Sequence, residues 1–164
     1  MVLNQEVSYM LRIGKLTDYA IIVLGHMARE PNRTFAAADL ALAASVAMPT
    51  VSKILKALTR TRVLKSTRGS KGGYQLVLPP EQTSVASIIY AMEGPIALTE
   101  CGLEHDACEQ SSSCHIRGNW AVINRAIRAA LESVTLADMA TPMPHAAEEI
   151  RIPVSSIHIY SRPE

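Results

Sequence analysis

The stretch over residues 49–61 constrains the fold most, because apolar residues recur in it at i, i+3, i+4 and i+7. That apolar stripe consists of Val51, Ile54, Leu55 and Leu58. The polar and basic residues fall on the other side: Thr50, Ser52, Lys53, Lys56, Thr59 and Arg60. Pro49 suits the first position of a helix, where its missing N–H would be unpaired anyway. The pattern predicts a helix that buries one side and presents a basic side to solvent.

The residues before this stretch predict two further helices. A first helix is expected over residues 17–29, with Thr17 as its cap, Asp18 in its first turn and Pro31 beyond its end. A second is expected over residues 36–44, anchored by Leu40 and followed by a short turn at 45–48. Two helices joined by a tight turn, the second with a basic outer side, make a helix-turn-helix.

The residues after it predict a β-hairpin. Short strands are expected over 63–67 and 74–78, and the turn between them, RGSKGG, combines glycines with two cations. Such a hairpin is the wing of a winged helix. Residues 49–71 contain seven Lys and Arg and no acid, so DNA binding should depend strongly on salt.

These patterns assign a role in DNA binding to particular side chains. Residues early on the third helix should reach base edges, residues later on it should contact phosphates, and the wing tip should enter a minor groove. The candidates for base edges are Thr50, Ser52 and Lys53, and those for phosphates are Lys56 and Arg60. The candidates at the wing tip are Arg68 and Lys71.

The charge distribution divides the chain in two. Residues 1–80 have eleven Lys and Arg against four acids, a net charge of +7, whereas residues 81–164 have five against eleven, a net charge of −6. Aromatic residues make up only 4% of the chain, which favours an aliphatic, mostly helical core. A half that binds a polyanion is therefore predicted to be joined to a half with another task.

The second half contains the segment CGLEHDACEQSSSC, which holds all three cysteines, Cys101, Cys108 and Cys114. It lies between a predicted helix over 84–93 and a long amphipathic helix over 116–134, whose stripe is expected to pack on a second copy. Three interpretations stay open on spacing alone. They are an iron–sulfur cluster, a structural zinc site completed by a histidine, and redox thiols without a metal.

Several classes of protein are not indicated. No apolar run is long enough to span a membrane, and no basic-then-apolar signal pattern opens the chain, so a cytoplasmic protein is expected. No nucleophile motif, phosphate-binding glycine loop or cofactor fingerprint is recognisable, so the chain is not predicted to be an enzyme.

Three motifs carry a resemblance: RIGKLTDYA at 12–20, RGSKGGY at 68–74, and the cysteine triplet before a long helix. Together they resemble the family of winged-helix iron–sulfur regulators that includes the cluster-assembly regulator IscR and the nitric-oxide-sensing repressor NsrR. The resemblance implies a homodimer that binds an operator in double-stranded DNA with an affinity set by a 2Fe–2S or 4Fe–4S cluster. It also implies control of cluster-assembly genes or of redox or nitrosative stress genes. The run over 125–140 is similar to the subgroup that controls the SUF operon.

The resemblance leaves two candidates for a fourth ligand. IscR-type members have a histidine three residues after the last cysteine, where this chain has Arg117, and His115 lies next to Cys114 instead. NsrR-type members use an N-terminal aspartate of the partner subunit, which matches Asp18.

The expected architecture is mostly α with a small β-hairpin, divided along the chain into four parts. Residues 1–9 form a disordered leader and residues 10–80 a winged helix-turn-helix domain. Residues 81–140 contain the cysteine loop and the long dimerisation helix, and residues 141–164 form an irregular tail.

Overall fold

The computed structural model describes residues 13–69, 72–99 and 115–141. Over these residues the chain is mostly helical, with one antiparallel two-stranded hairpin, as the sequence predicts. In chain order the elements are α1 (Lys15–Ala28), α2 (Ala37–Ala44), α3 (Met48–Arg60), β1 (Leu64–Thr67), β2 (Gly73–Leu76), a 3-10 turn (Pro80–Gln82), α4 (Val85–Glu93), α5 (Arg117–Ser133) and α6 (Leu136–Ala140).

Helix α1 lies at the centre of the fold and packs against α2, α3, α4 and α6. Its side chains Ala20, Val23, Leu24 and Met27 are fully buried in the core. The prediction that Thr17 caps this helix is wrong, because α1 begins two residues earlier and Thr17 is buried inside it. Burial of its hydroxyl therefore requires a partner within the protein.

Both strands of the hairpin are attached to the rest of the fold, β1 by packing on α3 and β2 by a backbone bridge. In the register of β1 and β2, Leu64 faces Leu76 and Thr67 faces Gly73. Phe35, between α1 and α2, adds a short bridge, since its N–H and C=O both bond to the backbone of Tyr74 at 2.9 Å. This bridge fixes the hairpin against the start of the helix-turn-helix.

The start of α4 meets the end of α5. Val85 N–H donates to the carbonyl of Val134 (2.9 Å), and Leu136 N–H donates to that of Thr83 (2.7 Å). Helix α6 then begins with a capping box between Thr135 and Asp138. These bonds hold α6 against α1, where Leu136 is fully buried.

The apolar stripe of α5 is divided lengthwise. Asn124 is 8% exposed and faces its own chain, whereas Ile123 is 43% exposed and Ile116 is 56% exposed. Among the described residues, therefore, only one side of the stripe is buried, against α4.

The remaining predicted elements lie within one or two residues of the observed ones. The leader over 1–9, Lys71, the three cysteines and the tail from residue 142 onward lie outside the described residues. Within the described ranges, no single helix is long and apolar enough to cross a membrane. Helices α2 and α3 pass such a test only as a pair, and that pair is bent by 116°.

Replacing either of two glycines by alanine should change the free energy of unfolding, in opposite directions. A Cβ on Gly25, inside α1, would meet nothing within 4 Å, so Gly25→Ala should raise the free energy of unfolding by about 0.5–1 kcal/mol. A Cβ on Gly73 would collide with the carbonyl of Phe35, so Gly73→Ala should lower it by about 1–3 kcal/mol. Urea denaturation of both variants measures the two shifts. Equal effects would contradict the close approach of Phe35 to Gly73.

Candidate nucleic-acid interface

Helix α3 has a buried apolar side and an exposed basic side. Val51, Ile54, Leu55 and Leu58 are each fully buried. The opposite side carries Ser52, Lys53, Lys56 and Arg60, all exposed, with Thr50 partly exposed near the start of the helix. Burial of the apolar side holds the helix on the core, so the basic side faces outward.

The connection between α2 and α3 has the geometry of a helix-turn-helix. Ser45 closes α2 in the left-handed conformation (φ 53°), and Val46 is buried beneath the turn. The bend of 116° between the two helices lies in the range of about 90–120° typical of the motif. No acid lies in the first turn of α3, so its positive dipole end is not neutralised from within the helix.

The cations of this surface form no ion pair with the described residues. Among the described residues the one side-chain ion pair joins Arg33 to Glu30 (2.7 Å), at the loop after α1. Lys53, Lys56 and Arg60 on α3 therefore have no acidic partner in that part of the chain. Arg68, at the end of β1, is likewise exposed and without one. Charge without internal compensation is the electrostatic property that phosphates select.

Two candidate ligands outside the cysteine segment, Asp18 and His115, belong to the described residues. Asp18 is exposed on the first turn of α1, and its carboxylate has no hydrogen bond or ion pair to the described residues. His115 is also exposed, two residues before α5. No group of three or more metal-ligating side chains occurs within residues 13–69, 72–99 and 115–141, and the cysteines lie outside these ranges.

One contact near Asp18 was not predicted from the sequence. Glu93, the last residue of α4, accepts hydrogen bonds at its Oε1 from the N–H of Gly14 (2.7 Å) and from the hydroxyl of Thr17 (2.6 Å). The contact joins residues 76 and 79 positions apart, and no local pattern in the sequence signals it.

A second anchor was also missed. The side chain of Asn124 on α5 accepts a hydrogen bond from the N–H of Leu98 (2.8 Å), while its Nδ2 is buried without a partner in the described part of the chain. A cavity of about 410 Å³ lies here, between the end of α4, residues 94–98 and α5. A polar residue inside an apolar stripe was the available signal, since such a residue needs a hydrogen-bond partner when buried.

Comparison with known proteins agrees with this geometry. The family model described as Rrf2, iron-dependent transcriptional regulator, matches residues 13–142. The chain is 31% identical over 101 residues to the protein rrf2 of Nitratidesulfovibrio vulgaris, covering 62% of this chain and 67% of that protein. It is 29% identical over 132 residues to a protein of Mycobacterium tuberculosis named as an HTH-type transcriptional regulator, covering 79% and 81%.

Solved structures share the fold. CymR, the global cysteine regulator of B. subtilis, superimposes with a TM-score of 0.61 at 24% identity, covering 79% of this chain and 96% of its own. IscR of T. potens superimposes with a TM-score of 0.58 at 24% identity, covering 79% and 85%. The helix-turn-helix, the hairpin and the family match lead to one conclusion. The chain belongs to the Rrf2 family of DNA-binding transcriptional regulators, whose members are not enzymes.

Proposed function

We propose that this regulator senses an iron–sulfur cluster, and that the state of the cluster sets its affinity for operator DNA. The observation that carries the proposal is the acidic segment with Cys101, Cys108 and Cys114, joined to a basic winged helix. Thiolates are the usual protein ligands of such clusters. The family description as iron-dependent supports the same chemistry.

The fourth ligand is Asp18, donated by the partner subunit. Its carboxylate is exposed and uncommitted, so ligation would cost no existing interaction among the described residues. A carboxylate completes a donor set of three thiolates and leaves one weakly held corner, where an oxidant or nitric oxide could react when the cluster is bound. His115 is the alternative ligand.

The DNA-binding half uses its basic side in two ways. Thr50, Ser52 and Lys53, early on α3, read base edges in the major groove. Lys56 and Arg60 contact phosphates, which position the protein without specifying sequence. The wing contributes Arg68 and Lys71 at the minor groove.

The protein acts as a homodimer. On one side of the α5 stripe, Ile116 and Ile123 stay 56% and 43% exposed. A second copy of α5 would cover them and would set two recognition helices about 34 Å apart, one turn of DNA. Two half-sites in the operator follow from that symmetry.

The targets we propose are the SUF operon and other genes of cluster assembly or of redox and nitrosative stress.

Two alternatives to a cluster-sensing regulator use the same fold or the same thiolates. CymR, a regulator of cysteine, has the same fold, so the fold by itself does not select a cluster. A zinc site with three cysteines and His115 would use the same thiolates, and elemental analysis separates it from a cluster.

Lys56→Ala should weaken binding to every DNA site by a similar factor, because a phosphate contact is independent of sequence. The slope of log K against log salt should fall in magnitude by about 1. Fluorescence anisotropy across a salt series measures both quantities. Arg125→Ala removes an exposed cation from α5 and should leave the slope unchanged. A loss confined to one sequence would contradict the phosphate role.

Protein purified without oxygen should be coloured and should contain iron. Cys108→Ala should abolish both properties, and Asp18→Ala should leave the fold intact but shorten the lifetime of the cluster on exposure to oxygen. Optical and Mössbauer spectra with iron and zinc analysis give the answer. A colourless zinc protein would refute the cluster, and an unchanged lifetime in Asp18→Ala with a shortened one in His115→Ala would transfer the fourth position.

Ile123→Glu should convert the dimer into a monomer, because it places a charge in the proposed contact between two α5 helices. Sedimentation velocity measures the change directly. Val77→Glu places the same charge on an exposed apolar residue after β2, at 44% exposure against 43%, and should leave the dimer intact. A dimer that survives Ile123→Glu would place the subunit contact elsewhere.

A further inference from the structure

Residues 93–98, which precede the cysteine segment, are attached to two different helices. At one end Glu93 accepts the hydrogen bonds of Gly14 and Thr17, at the start of α1. At the other end Leu98 donates its N–H to Asn124 on α5. Cys101 follows Leu98 by only three positions in the sequence. A displacement of residues 93–98 would therefore displace α1, α5 or both.

The bonds of Glu93 complete the start of α1. Gly14 precedes the helix and has no side chain to cap it, and no other side chain of the described residues caps this end. A carboxylate suits the site, because the first turn of a helix presents unpaired N–H groups and partial positive charge. The approach is close, since a Cβ on Gly14 would lie 2.9 Å from Glu93 Oε1.

The buried hydroxyl of Thr17 makes the contact specific. Thr17 is 1% exposed, and Glu93 is the partner that its hydroxyl finds. Asp18 is the next residue, on the same turn, and α1 packs directly on α2 and α3. The Glu93 contact therefore joins the chain that leads into the cysteine segment to the turn of α1 that carries Asp18.

We propose that Glu93 is a positioning residue that couples the cysteine segment to the first turn of α1. It acts through Gly14 and Thr17, and needs no contact with metal or DNA. The inference rests on the cluster-dependent function proposed above. Since Asp18 serves the partner subunit's cluster in that proposal, the same contact also links the two metal sites of the dimer.

The test is the ratio of DNA affinities with and without the cluster, measured anaerobically on the full-length dimer. In the wild type the two affinities should differ by about 10-fold or more, within the usual range of coupling. In Glu93→Ala they should differ by less than about 2-fold, because the link is cut. If Glu93 had a merely structural role, Glu93→Ala would lower the DNA affinity by the same factor with and without the cluster, and the ratio would stay unchanged.

Matched variants sharpen the result. Glu93→Gln keeps an oxygen that can accept both bonds and should retain most of the ratio, whereas Glu81→Ala removes an exposed carboxylate of the 3-10 turn and should retain all of it. Thr17→Val removes the hydroxyl alone and should reduce the ratio, which keeps the inference testable if Glu93→Ala does not fold.

Full coupling in Thr17→Val and in a folded Glu93→Ala would overturn the inference and leave the proposed function intact. A wild-type ratio of one would refute the cluster-dependent function itself, and the inference with it.

Discussion

The burial of α1 is the packing constraint on which the rest of the structure depends. Ala20, Val23, Leu24 and Met27 contribute a continuous buried face, and helices from both halves of the chain pack around α1. The core that results includes Leu55 of α3 together with Ile88 of α4 and Leu136 of α6. The division of charge near residue 80 therefore separates two chemistries that share one hydrophobic core.

This shared core has a consequence for regulation. A recognition helix that packed only on its own domain would be insulated from events near the cysteines. Here α3 packs on α1 and α4, and the first turn of α1 is held by the last residue of α4. Interiors are close-packed, so a displacement at one edge of such a core is transmitted rather than absorbed. The proposed coupling needs no hinge or separate moving domain.

The sequence could predict those parts of the fold that follow from local periodicity. The stripe of α3 gave its buried side correctly, and the glycine-rich turn between two short β patterns gave the hairpin. The family match supports the winged helix that these patterns implied. The basic side of α3 was predictable for the same reason, since residues off a buried stripe must face outward.

The sequence could not predict contacts made across long separations. Threonine is a common helix cap, but Thr17 lies buried inside α1. Its buried hydroxyl bonds to Glu93, a residue 76 positions away. The burial of Asn124 on α5, in place of its apolar neighbour Ile123, also involves a partner far away in the sequence, the N–H of Leu98. The metal was left open for a chemical reason, because three thiolates serve a cluster and a zinc ion equally well.

Hydrogen–deuterium exchange of the dimer, with the cluster bound and after its removal, tests the central claim most directly. The account predicts that loss of the cluster changes exchange in three places: around the cysteines, at the first turn of α1, and in α3. Changes at α1 and α3 should appear together, because one packed core joins them. Changes confined to residues 100–115, with α1 and α3 unaffected, would contradict a link between the metal site and the DNA-binding half.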